Sequence, residues 1–138
     1  MNGRENDIVE PFRTRLGEVS HVAGLKREDG WVDMQVQFLV DQASAGSEDF
    51  LLGWTVLPPG ARHERHRHPQ ADEFFVVLAG EGMIYTDADR EASKDGDVVF
   101  TPRGHWHGFD NTGEEDVVLV WGWSGAGSLA GAGYEVES

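Results

Sequence analysis

An all-β fold, a sandwich or barrel of short strands, is predicted by three features of this 138-residue sequence. Its apolar runs are short and separated by turn signals, glycine is abundant with 18 residues against five prolines, and no segment keeps a sustained helical period. Strands that recur at regular spacing, with turns between them, are typical of such folds. At this length one domain is expected, covering residues 1–138.

The clearest strand covers Trp31–Asp41, where apolar side chains alternate with polar ones in a period of two. Further strands are predicted at Phe50–Leu57, Phe74–Leu78, Gly82–Thr86, Asp97–Thr101 and Asp116–Trp123. The barrel core is therefore expected within about residues 31–123. N-terminal strands are expected in 12–22, and the Gly-rich C-terminal tail, 124–138, is expected to be loosely structured.

Two strands, Phe74–Leu78 and Val117–Trp121, are apolar at both parities, although a strand with one face in water should alternate. One face of each is expected to line the barrel interior. The outer faces of Phe74, Val76 and Leu78 need a cover, and we predict a homodimer in which a partner's sheet buries them. In a monomer the N-terminal strands would have to supply that cover.

The formal net charge is −14, from 11 Lys and Arg against 25 Asp and Glu. An acidic chain repels phosphates and anionic lipid headgroups, so neither nucleic acid nor a membrane is an expected partner. The absence of cysteine excludes disulfides, zinc–thiolate sites and iron–sulfur clusters. No apolar segment has the length of a signal-peptide core or a membrane span, so a cytoplasmic location is expected.

Five of the six histidines lie between residues 63 and 107. His66 and His68 are two apart, a spacing that places both imidazoles on one face of a strand. Glu73 begins the next apolar strand, after a turn that would fold it back beside them, and His107 begins a later strand. Three neutral imidazoles with one carboxylate suit one divalent transition metal (Fe, Mn, Ni or Zn) and leave coordination positions open for water or substrate.

These residues resemble the cupin family in both of its signature motifs. The first motif consists of Gly60, five residues, His66-Arg67-His68, four residues, Glu73, six residues and Gly80. The second consists of Gly96, five residues, Pro102-Arg103-Gly104, two residues, His107, three residues and Asn111. The resemblance implies a double-stranded β-helix, which is a small jelly-roll barrel, and it implies that His66, His68, Glu73 and His107 ligate the metal.

Other residues near the motifs are candidates for the reaction itself. His105 shares parity with His107 and is the candidate acid–base group in the same cavity, the alternative being a rim histidine that water satisfies. His63 has the opposite parity to His66 on a regular strand and is expected in solvent. The substrate-pocket candidates, aromatic side chains for an apolar wall and one arginine for a carboxylate, are Trp54, Arg62, Phe75, Phe100 and Trp121.

A metal-dependent enzyme acting on a small organic substrate is the function that this pattern favours. An Fe(II) dioxygenase is the first choice, because the aromatic residues suit an apolar pocket. A Mn, Ni or Zn enzyme for isomerisation or decarboxylation stays open, and so does a protein that only binds a small ligand. An acid–base group that converges on the open metal positions would favour an enzyme over a binding protein.

Overall fold

The structure, a computed structural model, describes residues 10–137. Its strands are β1 (Trp31–Val32), β2 (Gln35–Val40), β3 (Phe50–Leu57), β4 (Arg62–Arg67), β5 (Asp72–Ala79), β6 (Glu81–Tyr85), β7 (Arg90–Lys94), β8 (Val98–Thr101), β9 (His107–Asp110), β10 (Val117–Ser124) and β11 (Glu135–Val136). Its helices are α1 (Gln42–Ala45), α2 (Leu129–Ala132) and two 3₁₀ turns, Leu16–Glu18 and Arg27–Asp29. No helix between residues 10 and 137 has the length and apolar character needed to cross a membrane.

The strands form two antiparallel sheets. The sheet that we call the histidine sheet has the order β1-β4-β9-β6-β7, with β11 also paired to β4, and the tryptophan sheet has the order β2-β3-β10-β5-β8. Core side chains from the two sheets meet between them, as where Phe109 of β9 contacts Phe75 of β5. The all-β prediction is confirmed, and two packed sheets with crossing connections are a jelly-roll arrangement.

Close packing inside the tryptophan sheet depends on a glycine. In β3 every second residue is buried, and Gly53 lies opposite Trp121 of β10. A Cβ at Gly53 would lie 2.1 Å from the indole of Trp121, so only glycine leaves room for this ring. The indole in turn donates a hydrogen bond from Nε1 to the Thr55 hydroxyl at 2.8 Å.

The four glycines of the two motifs lie in the connections between strands. Gly60, Gly80, Gly96 and Gly104 all have positive φ angles, which L-residues with a Cβ rarely adopt. At Gly80 a Cβ would also lie 2.5 Å from the carbonyl oxygen of Asp116. The motif glycines therefore shape the connections between strands.

The predicted strand Trp31–Asp41 is two strands that belong to different sheets. Asp33 has a φ of 58°, a left-handed conformation that interrupts the extended chain. On one side of it β1 pairs with β4, and on the other side β2 pairs with β3. The period of two was correct, but it does not report where a chain passes from one sheet to another.

The prediction of strands within residues 12–22 is wrong. This segment holds the 3₁₀ turn Leu16–Glu18 and otherwise extended chain without strand pairing. It lies over β2, because the Gln37 amide donates to the carbonyl oxygens of Leu16 and Val19 at 2.9 and 2.8 Å. Gln37 shares its face with Trp54, so the N-terminal segment covers part of the outer side of the tryptophan sheet.

The C-terminal tail is more ordered than its composition indicates. It contains α2, which Ser128 caps by accepting from the Gly131 amide, and then β11. β11 pairs with β4 through Glu135↔Arg67 and Val136↔His66. The tail therefore extends the histidine sheet beside two of the predicted metal ligands.

Candidate metal centre

Three histidine side chains meet between the two sheets. His66 and His68 come from β4 and the residue that follows it, and His107 is opposite His66 at the start of β9. One ring nitrogen of each lies within 4.8 Å of the others. All three side chains are buried, with 1% of His66, 2% of His68 and 4% of His107 exposed. We call His66, His68 and His107 the three-histidine group.

Backbone carbonyl groups fix the tautomer of all three rings. Nδ1 of His66 lies 2.7 Å from the carbonyl oxygen of Glu64, Nδ1 of His68 lies 2.8 Å from that of Gly133, and Nδ1 of His107 lies 3.3 Å from that of His105. A carbonyl oxygen only accepts, so each Nδ1 carries the hydrogen. The neutral rings therefore present an Nε2 lone pair, which is the form that binds a metal ion.

Glu73 lies beside this group without hydrogen bonding to it. Its Oε2 is 2.7 Å from Nε2 of His107 and its Oε1 is 3.5 Å from Nε2 of His68. Neither contact has hydrogen-bond geometry, and both Nε2 atoms are buried without a hydrogen-bond partner in the described chain. Lone pairs and a carboxylate that face each other in this way need a positive charge between them, and a divalent cation fits that requirement.

The electrostatics of the centre agree with this interpretation. Burial lowers the pKa of His66 well below its ordinary value, so its ring stays neutral and able to ligate. Burial alone would raise the pKa of Glu73, but the neighbouring His107 and His68 lower it well below the ordinary range. Burial opposes charge on His107, yet Glu73 raises its pKa, because without a metal a proton supplies the positive charge.

A small cavity opens beside the three-histidine group. Its volume is about 40 Å³, and a single water needs roughly 10–15 Å³ measured in the same way. The cavity lies between the sheets and is lined by Trp31, Met34, Thr55, Leu57, His63, His66, His68, Glu73, Phe75, His107, Gly108, Phe109, Leu119, Trp121 and Trp123. Its walls are mostly apolar and aromatic, and no lysine or arginine of residues 10–137 lines it.

Two of the five predicted pocket residues line this cavity, Phe75 and Trp121. Trp54 lies on the outer face of β3, because the buried residues of that strand are the odd-numbered ones. Phe100 is opposite Phe74 in the neighbouring strand, on the outer face of the sheet, and is 65% exposed. Arg62 has the parity opposite to His63 on β4 and pairs with Glu64 at 3.0 Å. These three pocket predictions are wrong.

His105 does not enter the cavity. It is exposed in the turn before β9, and Nδ1 of its ring contacts Oδ2 of Asp87 at 2.7 Å. The parity that it was expected to share with His107 applies only within a strand, and β9 begins at His107 itself. Its part in the centre is its backbone carbonyl, which accepts from His107.

His63 lies on the cavity wall and not in solvent, so that prediction is wrong. In the pairing of β4 with β9, His63 is opposite Phe109 and His66 is opposite His107. The chain therefore advances three residues along β4 but only two along β9 between these two pairs. This irregularity is a β-bulge, and one extra residue reverses the parity of the positions before it. The ring of His63 consequently stacks on that of His66, with 3.6 Å between the centroids.

The contribution of the C-terminal tail to the site was not predictable from the sequence. The Tyr134 ring stacks on Trp31 at 5.0 Å between centroids, and the Gly133 carbonyl holds His68. No local pattern connects these residues with the motifs, because they are far apart in the sequence. His68 and Gly133, for example, are separated by 65 positions. Trp123 could have been predicted as a pocket residue, because it shares the parity of Trp121 on the same strand. Its Nε1 donates a hydrogen bond to Oε1 of Glu73 at 2.8 Å.

A jelly roll with three inward histidines and an adjacent glutamate from two motifs defines the cupin class. The family model of the cupin domain matches residues 53–123, so the chain belongs to the cupin family. Among solved structures, it is similar to a predicted oxalate decarboxylase from Thermotoga maritima, with a TM-score of 0.70 and 24% identity over 82% of this chain and 98% of that one. This likeness confirms the double-stranded β-helix fold.

Two curated proteins illustrate the range of relatives. The chain is 29% identical to the oxalate-binding protein of Thermotoga maritima over 113 residues, which are 82% of this chain and 89% of that protein. It is also 32% identical to 1-hydroxy-2-naphthoate 1,2-dioxygenase of Nocardioides sp. over 83 residues, and these residues make up 59% of this chain. That match spans only 21% of the dioxygenase, so the chain corresponds to a small part of it.

Proposed function

We propose that this cupin is a metal-dependent enzyme whose substrate is a small organic molecule that binds through its oxygen atoms. The observation that carries the proposal is the set of three Nε2 lone pairs on buried rings, each fixed by a backbone carbonyl, beside a small and mostly aromatic cavity. His66, His68 and His107 would hold the ion, with Glu73 as the fourth ligand. When bound, a divalent transition metal supplies Lewis acidity and, as Fe(II), electrons for reaction with dioxygen.

The residues of the chain prepare the cavity for this chemistry. Trp123 orients the Glu73 carboxylate, and the aromatic walls exclude bulk water from the centre. No cationic side chain of the described residues reaches the cavity, so an anionic substrate would depend on the metal for its charge partner. These features support a substrate with an apolar body and one or two metal-binding oxygens.

Dioxygenation is the first reaction that we propose. An apolar, aromatic cavity suits an organic substrate that must meet dioxygen away from water, and the relative from Nocardioides sp. is named a dioxygenase. The metal is proposed to be Fe(II) in this case.

A second candidate is the binding or non-redox conversion of a compact acid, with Mn, Ni or Zn as the metal. The cavity volume of about 40 Å³ favours a ligand of few atoms. The match to the oxalate-binding protein also covers nearly the whole of that relative. A decarboxylase, an isomerase and a binding protein are the forms that this candidate takes.

The experiment is anaerobic loading with Fe(II) or Mn(II), followed by metal analysis, oxygen uptake and carbon dioxide release with hydroxybenzoates and with oxalate. We expect one metal ion per chain in the wild type and none in His66→Ala or His107→Ala. His21→Ala is the matched control, since His21 is exposed and outside the centre. Oxygen uptake with Fe(II) supports the dioxygenase. Binding of oxalate without oxygen uptake supports the second candidate, and a wild type without metal would refute both.

We also propose that the protein is a homodimer through the outer face of the tryptophan sheet. Leu78, Val98 and Phe100 are 47%, 71% and 65% exposed there, and β8 is an edge strand of this sheet. The N-terminal segment covers the same face at its other edge, over β2, and leaves the edge next to β8 uncovered. A second copy would bury the apolar patch next to β8.

Light scattering at micromolar concentration tests the dimer. We expect twice the mass of the chain for the wild type and a monomer for Val98→Glu with Phe100→Glu. Glu91→Lys, an exposed change on β7 of the other sheet, is the control. A monomeric wild type would contradict the proposal. The cytoplasmic location stays a prediction from the sequence.

A further inference from the structure

His63 is a fourth imidazole at the cavity, and it is not part of the three-histidine group. Its ring lies parallel to that of His66, with an angle of 18° between the planes, and Trp31 packs against it at 4.0 Å. The side chain is thus held firmly next to the metal centre without serving as a ligand.

The Tyr134 hydroxyl sets the tautomer of His63. This hydroxyl donates its single hydrogen to the carbonyl oxygen of Asp29 at 2.6 Å, because a carbonyl only accepts. The contact of 3.1 Å between the hydroxyl oxygen and Nε2 of His63 then requires a hydrogen on Nε2. The neutral ring therefore has its lone pair on Nδ1, which is the opposite tautomer to that of the three-histidine group.

The lone pair on Nδ1 of His63 is available to a ligand. The ring has no hydrogen bond in the described structure other than the one with Tyr134. Outside the metal centre and Glu73, the lining formed by the described residues offers one other side-chain acceptor, the Thr55 hydroxyl, which is only 3% exposed and already accepts from Trp121. A hydrogen-bond donor on a bound molecule therefore finds its acceptor at His63.

We propose that His63 binds the substrate by accepting, at Nδ1, a hydrogen bond from a substrate hydroxyl group whose neighbouring oxygen binds at the three-histidine group. The inference rests on the proposed function and narrows its substrate class to 2-hydroxy acids, of which the cavity volume of about 40 Å³ favours compact ones. Tyr134 is a positioning residue, since it acts through His63.

The tautomer is tested on the metal-free protein by ¹⁵N NMR of the histidine side chains. We expect His63 to carry its hydrogen on Nε2 in the wild type, and Tyr134→Phe to shift the ring towards the form with hydrogen on Nδ1. Tyr85→Phe, which alters the other tyrosine of the chain, is expected to behave as the wild type. A wild-type His63 with its hydrogen on Nδ1 would overturn the inference.

The role in binding is tested by calorimetry on the Mn(II)-loaded protein with glycolate and acetate, which differ by one hydroxyl group. The ratio of their affinities is measured in the wild type, in His63→Phe, which keeps a ring on His66, and in His63→Asn, which restores an acceptor. We expect His63→Phe to lower the preference for glycolate about three- to tenfold, the range of one neutral hydrogen bond, and His63→Asn to recover part of it. The preference of the metal itself cancels in this comparison.

The outcomes separate the two proposals. A wild type that takes up no Mn(II) overturns the proposed function and the inference with it. A metal-loaded His63→Phe that prefers glycolate as strongly as the wild type overturns the inference alone. If His63→Phe does not load metal, His63→Leu supplies the same comparison.

Discussion

Asn111, the last residue of the second motif, joins three parts of the chain through one buried amide. Its Nδ2 donates to the carbonyl oxygens of Leu57 and Glu115 at 2.7 and 2.8 Å, and its Oδ1 accepts from the Gly113 amide at 2.9 Å. The residue is 2% exposed, so water does not replace these bonds easily. The motif asparagine is therefore a structural residue and not a ligand.

We expect Asn111→Ala to lower the free energy of unfolding by about 1–3 kcal/mol, because the substitution leaves buried backbone groups unpaired. Urea denaturation followed by fluorescence measures the loss. Thr112→Ala, an exposed change at the next position, is the control and is expected to change the free energy by less than about 0.5 kcal/mol. Equal effects of the two substitutions would contradict this role.

Single residues were predictable from the sequence where a strand is regular and not where it is irregular. The spacing of the two motifs brought together His66, His68, His107 and Glu73, all of which lie at the centre. His63 was misplaced because a β-bulge cannot be seen in the pattern of β4, which is polar throughout. Trp54 was misplaced because β3 is apolar at both parities, so its pattern does not say which face is buried.

At the scale of elements, the link between α2 and β11 fixes the orientation of the His68 ring through the Gly133 carbonyl. Gly133 lies there with a φ of 78°, and a Cβ would approach Cδ of Pro69 to 3.0 Å. We expect Gly133→Ala to move the carbonyl that accepts from His68 and to weaken metal binding about 10- to 100-fold, as for other partners of metal ligands. Metal titration measures the change.

Gly24→Ala is the matched control for this prediction. It introduces a Cβ at a similar positive φ of 81°, but with no atom within 4 Å. We expect it to strain the backbone without altering metal affinity. Equal affinities of Gly133→Ala and the wild type would show that the Gly133 carbonyl is not needed.

The turn between β7 and β8 gives the fold an acid-sensitive contact. Asp97 accepts from the Lys94 amide and the Ser93 hydroxyl, both at 3.0 Å, and these bonds lower its pKa. A carboxyl whose pKa is lowered by folding stabilises the fold above its unfolded pKa, and this contribution is lost as pH falls through the folded pKa. We expect Asp97→Asn to flatten the decline of stability below about pH 4.

Urea melts at a series of pH values measure this slope. Asp95→Asn, an exposed change in the same turn, is the control and is expected to keep the wild-type decline. Parallel curves for Asp97→Asn and the wild type would refute the prediction.

Elements were predicted from the sequence where apolar residues alternate or run together. β3, β5, β6, β8 and β10 lie within one or two residues of the predicted strands. β7 was missed because its sequence, Arg-Glu-Ala-Ser-Lys, is almost entirely polar, and its pairing with β6 gives it its strand conformation. β11 was missed because a two-residue strand has no period of its own.

At the scale of the whole molecule, the fold and the proposed metal are separate sources of stability. The core between the sheets contains 15 buried hydrophobic residues, so we expect the metal-free protein to stay folded and to unfold in one transition, as a single domain does. Metal at 100 times its dissociation constant adds about 2.7 kcal/mol. A chelator should therefore lower the Tm by about 9 °C.

Thermal melts with and without the chelator test this prediction. His66→Ala is expected to melt at one temperature in both conditions. Protons compete with metal for the neutral imidazoles, so the difference in the wild type is expected to shrink as pH falls. A wild type that contains metal but melts at the same temperature with the chelator would contradict the prediction.

The long sequence separation between the parts of the three-histidine group has a consequence for folding kinetics. His66 pairs with His107, and the carbonyl that holds His68 belongs to Gly133, so the centre exists only after distant strands have found their register. Metal should therefore bind after the rate-limiting step of folding. We expect added Mn(II) to leave the refolding rate unchanged and to slow unfolding, which stopped-flow fluorescence can measure. In the cell the ion would act mainly by prolonging the lifetime of a protein that has already folded.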